Sequence, residues 1–162
     1  MKVTFNDLLK VMEKELYNNL GRPTPLFDKC FELIVNKNNA EYAYRLARKN
    51  WRDIDVDTLQ DIVINSNHYG YMLLFACDVE KSDKEKLARI ISSKKLSRAD
   101  QINSNLIFDD ENHHILSLMN FANGLEDFDL DTFRQNVLDL YNYRNFEQTL
   151  TDSLNDNNVD LT

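Results

Sequence analysis

Residues 42–65 read YAYRLARKNWRDIDVDTLQDIVIN, and residues 71–91 read YMLLFACDVEKSDKEKLARII. Each stretch opens with apolar residues at helical spacing: Tyr42, Ala43, Leu46 and Ala47 in the first, Tyr71, Met72, Phe75 and Ala76 in the second. Each then crosses a polar turn and resumes helical spacing with Leu59, Ile62 and Val63, or with Leu87, Ile90 and Ile91. A third copy lies in residues 117–137, SLMNFANGLEDFDLDTFRQNV, with Ser117, Leu118, Phe121 and Ala122 as its stripe and Phe133 and Val137 beyond the turn. Each copy is a unit of about 28 residues, and such recurrence marks a helical hairpin that buries its apolar face only by stacking on its neighbours.

The turns sharpen the match. Residues 53–58 read DIDVDT, and residues 127–132, 74 positions later, read DFDLDT. In both, the middle acid (Asp55, Asp129) is placed to cap the helix that follows, and the apolar residue before it (Ile54, Phe128) to pack on Leu59 or Phe133 as a hydrophobic staple. In the middle copy, Ser82 with Glu85 three residues on reads as a capping box.

Outward from this core, Phe5, Leu8, Leu9, Met12 and Leu16 form one face of a first helix, and Gly21 supplies a left-handed stop. Thr24 as N-cap with Pro25 at the first helical position starts a second helix, expected to run to about Asn36. Residues 94–110 interrupt the repeat, with Ser97 placed to cap a short helix covering Ile102, Leu106 and Ile107, and Tyr143–Leu154 reads as a final helix. Three glycines and two prolines are too few for the tight turns of a β-sandwich or barrel. The expectation is one all-α domain over residues 1–154, built of stacked helical hairpins as a short right-handed solenoid or a compact helical bundle of about seven to nine helices. Residues 155–162 form an acidic tail, expected to be flexible.

The formal net charge of −8 is unevenly placed. Residues 1–100 hold 17 Lys/Arg against 15 Asp/Glu, whereas residues 101–162 hold only Arg134 and Arg144 against 12 acids. An acidic surface on a nearly neutral body repels nucleic acid and attracts basic protein surfaces. The longest apolar run, Tyr71–Cys77, is far too short to span a bilayer. Asn6 and Asp7 interrupt any signal-like stretch at the N-terminus, so the expected location is the cytoplasm, of a bacterial cell or a phage-infected host. Cys30 and Cys77, both among apolar residues, read as buried thiols in a reducing compartment.

The phrases YAYRLARKNWRDIDVDTLQDIVINS and YGYMLLFACDVEKSDKEKLARIIS resemble a loose class of bacterial and bacteriophage helical repeats that look like variants of HEAT repeats. In that class a tyrosine-rich helix ending in Phe-Ala or Leu-Ala leads through an acidic turn to a Leu/Ile-rich helix. The resemblance covers residues 39–93 well and 113–140 less well. It implies a curved stack of helix pairs and transfers no activity, because the matching positions belong to core and turns.

The common chemical signatures fail one by one. Asp53, Asp55 and Asp57, like Asp127, Asp129 and Asp131, resemble the opening of a calcium loop, but the glycine position holds Thr58 or Thr132 and the glutamate position Ile64 or Leu138. His113 and His114 follow Asp109, Asp110 and Glu111, yet adjacent helical residues point about 100° apart and do not converge on one ion, and His68 is distant in sequence. No phosphate-cradling loop, GxSxG or HExxH is present. No catalytic residue, metal or cofactor is assigned.

The function expected is therefore non-enzymatic: an inhibitor or regulator that occludes a basic, nucleic-acid-handling protein, of the kind a bacteriophage counter-defence (anti-CRISPR-like) protein would be. An immunity protein neutralising a toxin is an alternative. The residues expected to meet the partner are the acids Asp109, Asp110, Glu111, Glu126, Asp127, Asp129 and Asp131, and an aromatic and basic face of Trp51, Arg48 and Arg52. RNA or DNA binding through Arg45 to Arg52 is the other alternative. No membrane contact is expected, and open apolar ends of a helix stack invite a homodimer.

Overall fold

In the computed structural model, residues 2–104 and 114–141 are described. Among them there is no strand, and the helices in chain order are α1 (Phe5–Asn18), α2 (Pro25–Lys37), α3 (Ala40–Ala47), α4 (Val56–Asn65), α5 (Tyr69–Asp78), α6 (Lys84–Ile91), α7 (Arg98–Asn103) and α8 (Ile115–Asn123). A further helix, α9, begins at residue 130 and is described to 141. None of the described helices is long and apolar enough to cross a membrane.

Local chemistry sets the helix starts. Thr4 and Asp7 cap α1 reciprocally, Thr4 N–H donating to the Asp7 carboxylate at 2.9 Å and Asp7 N–H to the Thr4 hydroxyl at 3.2 Å. Thr24 caps α2 by accepting from Phe27 N–H and donates its own hydroxyl to Glu15 of α1 at 2.9 Å, which ties the first two helices together at their shared turn. Asn39, Asp55, His68, Asp83 and Ser97 cap α3 to α7 in the same way. For α6 this corrects the expected Ser82–Glu85 box. The Asp83 carboxylate accepts from Lys86 N–H at 3.0 Å, while the Ser82 hydroxyl donates to the Val79 carbonyl at 2.7 Å and accepts from Lys84 Nζ at 2.9 Å. A carboxylate suits the positive end of a helix better than a hydroxyl does.

Helix ends are served by asparagine. Asn38, Asn50 and Asn67 all take left-handed backbone (φ 51°, 53° and 57°) just beyond α2, α3 and α4, where glycine is the usual choice. Asparagine tolerates this region because its side chain bonds locally to the backbone, as when Asn50 Nδ2 donates to the Arg48 carbonyl. The scarcity of glycine therefore excludes few turns in this chain.

Helices pack as consecutive pairs, α1 on α2, α3 on α4 and α5 on α6, and the pairs contact through α2 with α4, α3 with α5, and both α5 and α6 with α8. Leu8, Met12, Phe27, Ile34, Leu46, Leu59, Val63, Met72, Phe75, Leu87, Ile91 and Phe133 bury together in one core. Central α5 is buried almost all round, from Gly70 to Cys77. The third stripe is only half used: Leu118 and Ala122 are buried, while Ser117 and Phe121 are exposed. Ser97 caps α7, which includes Ile102 and leaves it exposed, and Leu106, Ile107, the 143–154 helix and the 155–162 tail lie outside the described residues.

Polar straps join successive turns. Asn50 Oδ1 accepts from Glu80 N–H at 2.9 Å, Lys81 donates to the Arg52 carbonyl at 2.9 Å, and buried Gln60 accepts from Asp83 N–H at 2.8 Å. Tyr44 of α3 donates to the Asp78 carboxylate at the end of α5. On α9, fully buried Asn136 accepts from Leu96 N–H at 3.0 Å and donates to the carbonyls of Ile91 and Lys94, both at 2.7 Å, holding the end of α6 and the following loop. Asn136→Ala strands one amide and two carbonyls in a buried site, so it should destabilise the protein by about 3 kcal/mol in urea denaturation. Gln135→Ala, on the exposed side of the same helix, should stay within about 0.5 kcal/mol of the parent.

Candidate functional site

The turn between α8 and α9 gathers four of the expected acids, and they divide by what each does. Phe128 is half-buried edge-on against Phe133, with ring centroids 5.4 Å apart, which anchors the turn to the start of α9. Asp129 caps α9: its carboxylate accepts the Thr132 hydroxyl at 2.6 Å and the Thr132 N–H at 3.0 Å, and these two bonds hold its pKa below the usual carboxylate value. Asp127 takes left-handed backbone with φ 48°, a conformation aspartate accepts more readily than most residues.

Arg89 of α6 clamps this turn from below. Its guanidinium donates to the Glu126 carbonyl at 2.9 Å and the Asp127 carbonyl at 3.0 Å, lies 5.8 Å from the centre of the Phe128 ring and pairs with Glu85 at 3.0 Å. The cation is thus spent on backbone oxygens and on Glu85. Glu126, Asp127 and Asp131 are exposed, and none forms an ion pair among the described residues. The result is a backbone-pinned turn presenting three carboxylates to solvent, with Asp129 committed to structure. Asp109, Asp110, Glu111 and His113 lie outside the described residues.

The homologous-looking turn at 53–58 repeats the cap, with Asp55 accepting from Thr58 N–H at 3.2 Å and from its hydroxyl at 2.8 Å, and buries Ile54. It has no counterpart of Arg89; there Lys81 reaches the Arg52 carbonyl instead.

The aromatic and basic face is folded into local contacts. Trp51 is half-buried, its ring 6.0 Å from that of Phe27, between α2 and the α3–α4 turn. Arg45 lies 4.8 Å from the Phe5 ring centre and donates to Asn6 at 3.0 Å, Arg48 lies over Tyr44, and Lys49 pairs with Glu13 at 2.9 Å. Of this set Arg52 is exposed at the turn. These cations face their own protein, and a phosphate would have to displace those contacts.

Burial pushes the Cys77 thiol up to about 12 and raises that of Cys30, so neither supplies a ready thiolate. Burial and the bond to Asp78 raise the Tyr44 phenol as well. His68 is used as a cap, its Nδ1 accepting from Tyr71 N–H at 3.1 Å, and His114 precedes α8 without a capping bond. No group of three or more His, Cys, Asp or Glu is placed to hold a metal among the described residues. A concavity of about 510 Å³ runs along α6 past Asp83, Glu85, Arg89 and Ile90, and one of about 330 Å³ lies over Phe5, Leu8, Ile34 and Tyr42. Comparison with protein-family models, with characterised proteins and with solved structures finds nothing that matches this chain.

Arg89, Asn136 and Gln60 escape a reading of the sequence. Asn136 leaves one signal, being the polar residue within the apolar set Phe133, Val137 and Leu140, where an unpaired amide would be costly. The Asp129 cap gives a pH prediction. Its folded pKa is depressed, so its contribution is complete above the unfolded value of about 3.9 and is lost as pH falls through the folded value. Asp129→Ala should lower the thermal midpoint by a few degrees at neutral pH, with the gap to the parent closing below about pH 4. Asp129→Asn, which keeps an acceptor, should stay near the parent at neutral pH.

Proposed function

We propose that this protein acts without catalysis, by docking its acidic α8–α9 turn on a basic surface of another protein. The observation that carries this reading is the division of labour among the turn acids: Asp129 caps α9, while Glu126, Asp127 and Asp131 stay exposed on a backbone held by Arg89. Exposed carboxylates on a pinned frame lose little entropy on binding and steer an oppositely charged partner. By sequence, residues 101–162 hold 12 acids against Arg134 and Arg144. Proteins that handle nucleic acid carry basic surfaces of the required kind, so an inhibitor of such a protein, in bacteriophage counter-defence or in toxin immunity, is the role this surface suits. Direct nucleic-acid binding is the weaker reading, because Arg45, Arg48 and Lys49 are engaged within the protein.

The test removes the three exposed charges and leaves the cap. In Glu126→Gln/Asp127→Asn/Asp131→Asn, affinity for a basic partner captured by the parent chain should fall by about tenfold, and its salt dependence should flatten. Equal capture by both chains at low salt would exclude the turn as the docking surface.

A further inference from the structure

Three helices meet around a cleft at the N-terminal end of the molecule. α1 and α3 begin there and α2 ends there, and the space between them, about 330 Å³, is lined by Phe5, Leu8, Ile34 and Tyr42. Phe5, Leu8 and Ile34 belong to the buried core, and the Phe5 and Tyr42 rings stack with centroids 4.5 Å apart and planes within 3° of parallel. A stacked pair packed into the core gives the cleft a preformed wall, and its volume falls at the lower end of the roughly 300–1,000 Å³ of small-molecule sites. The charged residues of the lining are of one sign: it holds Lys2 and Lys37 and, among the described residues, no acid. Both lysines are exposed, and neither forms an ion pair among the described residues. Arg45 adds a third cation, 4.8 Å from the centre of the Phe5 ring. The starts of α1 and α3 contribute the positive ends of two helix dipoles, against the negative end of α2. Two acids stand near in sequence: the Asp7 carboxylate accepts from Thr4 N–H at 2.9 Å in the α1 cap, and Glu41 is exposed beside Tyr42.

We propose that this cleft binds a medium-chain alkyl carboxylate, its chain lying along Phe5, Leu8, Ile34 and Tyr42 and its carboxylate meeting Lys2 and Lys37 at the lip. Each part of the ligand answers a part of the lining. An apolar body is needed because a hydrophilic anion would leave the apolar wall uncovered and gain only solvated contacts with two flexible lysines. An anionic end is needed because a cationic one would bring like charges together. A lysine ammonium is a compact point charge on a flexible stem, so it meets a carboxylate without fixed geometry while the head stays in water. The chain then supplies most of the affinity and the lysines the choice of charge. None of these residues belongs to the acidic α8–α9 turn, so this site stands or falls independently of that one.

Calorimetric titration of the full chain with hexanoate, octanoate and decanoate should give affinities that rise by about fourfold for each methylene the cleft buries. Decyltrimethylammonium, with the same chain and the opposite charge, should bind at least fivefold more weakly than decanoate. In Lys2→Gln/Lys37→Gln that preference should disappear while circular dichroism is unchanged, because both lysines are exposed. Amide shifts in NMR spectra of the parent chain with decanoate should centre on residues 3–8 and 34–42. No saturable binding of decanoate at millimolar concentration, or equal binding of the two amphiphiles by the parent chain, overturns the proposal. So does a response centred on exposed Leu20 or Leu116, which would mark adsorption to the open surface.

Discussion

Closing one helical hairpin on the next buries the ends of its helices, and every backbone group there must find a partner. The apolar seam supplies the driving force, since fully burying a Leu or Phe side chain stabilises by about 1.5–3 kcal/mol, but that attraction is non-directional. Direction comes from the straps. Gln60 on the amide of Asp83, Asn50 on that of Glu80, Arg89 on the carbonyls of Glu126 and Asp127, and Asn136 on the loop after α6 each link one hairpin to a backbone group of the next. The Gln60 and Asn136 straps satisfy groups that burial would otherwise penalise by about 1–3 kcal/mol, whereas the Asn50 and Arg89 straps lie at exposed turns. Sliding one hairpin against another would break several of them together.

The same straps account for which acids remain available. A turn acid can serve as a cap, as Asp55, Asp83 and Asp129 do, and its carboxylate then accepts the amide three residues on, joined at Asp55 and Asp129 by a threonine hydroxyl. It can also lie in a turn whose carbonyls, and not its carboxylates, are the strapped groups. Glu126 and Asp127 are of this second kind: Arg89 takes their backbone oxygens and leaves their side chains in water. An arginine that would neutralise the surface if it reached the carboxylates instead stiffens the frame that displays them.

What could be read from the chain beforehand follows the range of the interaction concerned. Caps at Thr24, Asp55, Ser97 and Asp129 depend on residues three positions apart, and spacing alone reveals them. The choice of Asp83 over Ser82 was hidden because the two are adjacent and both are favoured caps, so spacing alone does not say which one starts the helix. Stripes on α3 and α5 behaved as their periodicity required, being flanked by hairpins on both sides. On α8 the same pattern leaves Phe121 exposed, because periodicity states which residues share a face and not whether a neighbour covers it. Arg89 and Asn136 act across about 40 residues, and nothing local marks them. The surroundings of the basic cluster were hidden for the same reason: Phe5, Asn6 and Glu13, which meet Arg45 and Lys49, are distant in sequence and adjacent only in the fold.

Charge placement and apolar exposure together decide what the acidic end can do. In the body, cations are matched close by: Lys49 with Glu13, Arg89 with Glu85, and Lys94 with Asp100, so little net field survives beyond a Debye length of about 8 Å. At the α8–α9 turn the Arg89 charge is paired with Glu85, and Arg134 alone stands near in sequence against Glu126, Asp127, Asp129 and Asp131, so acids are in excess there. A field of that kind brings a basic partner close but discriminates poorly, because surface ion pairs contribute only about 0–1 kcal/mol each. Selective binding needs a desolvated anchor beside the charges. Leu116 on α8 and Leu138 on α9, 81% and 52% exposed on the two helices that the turn connects, are apolar residues of the right kind in the right elements. Docking of the kind proposed would draw on both components, steering carboxylates and exposed leucines on the helices that carry them, where a surface of carboxylates alone would supply one.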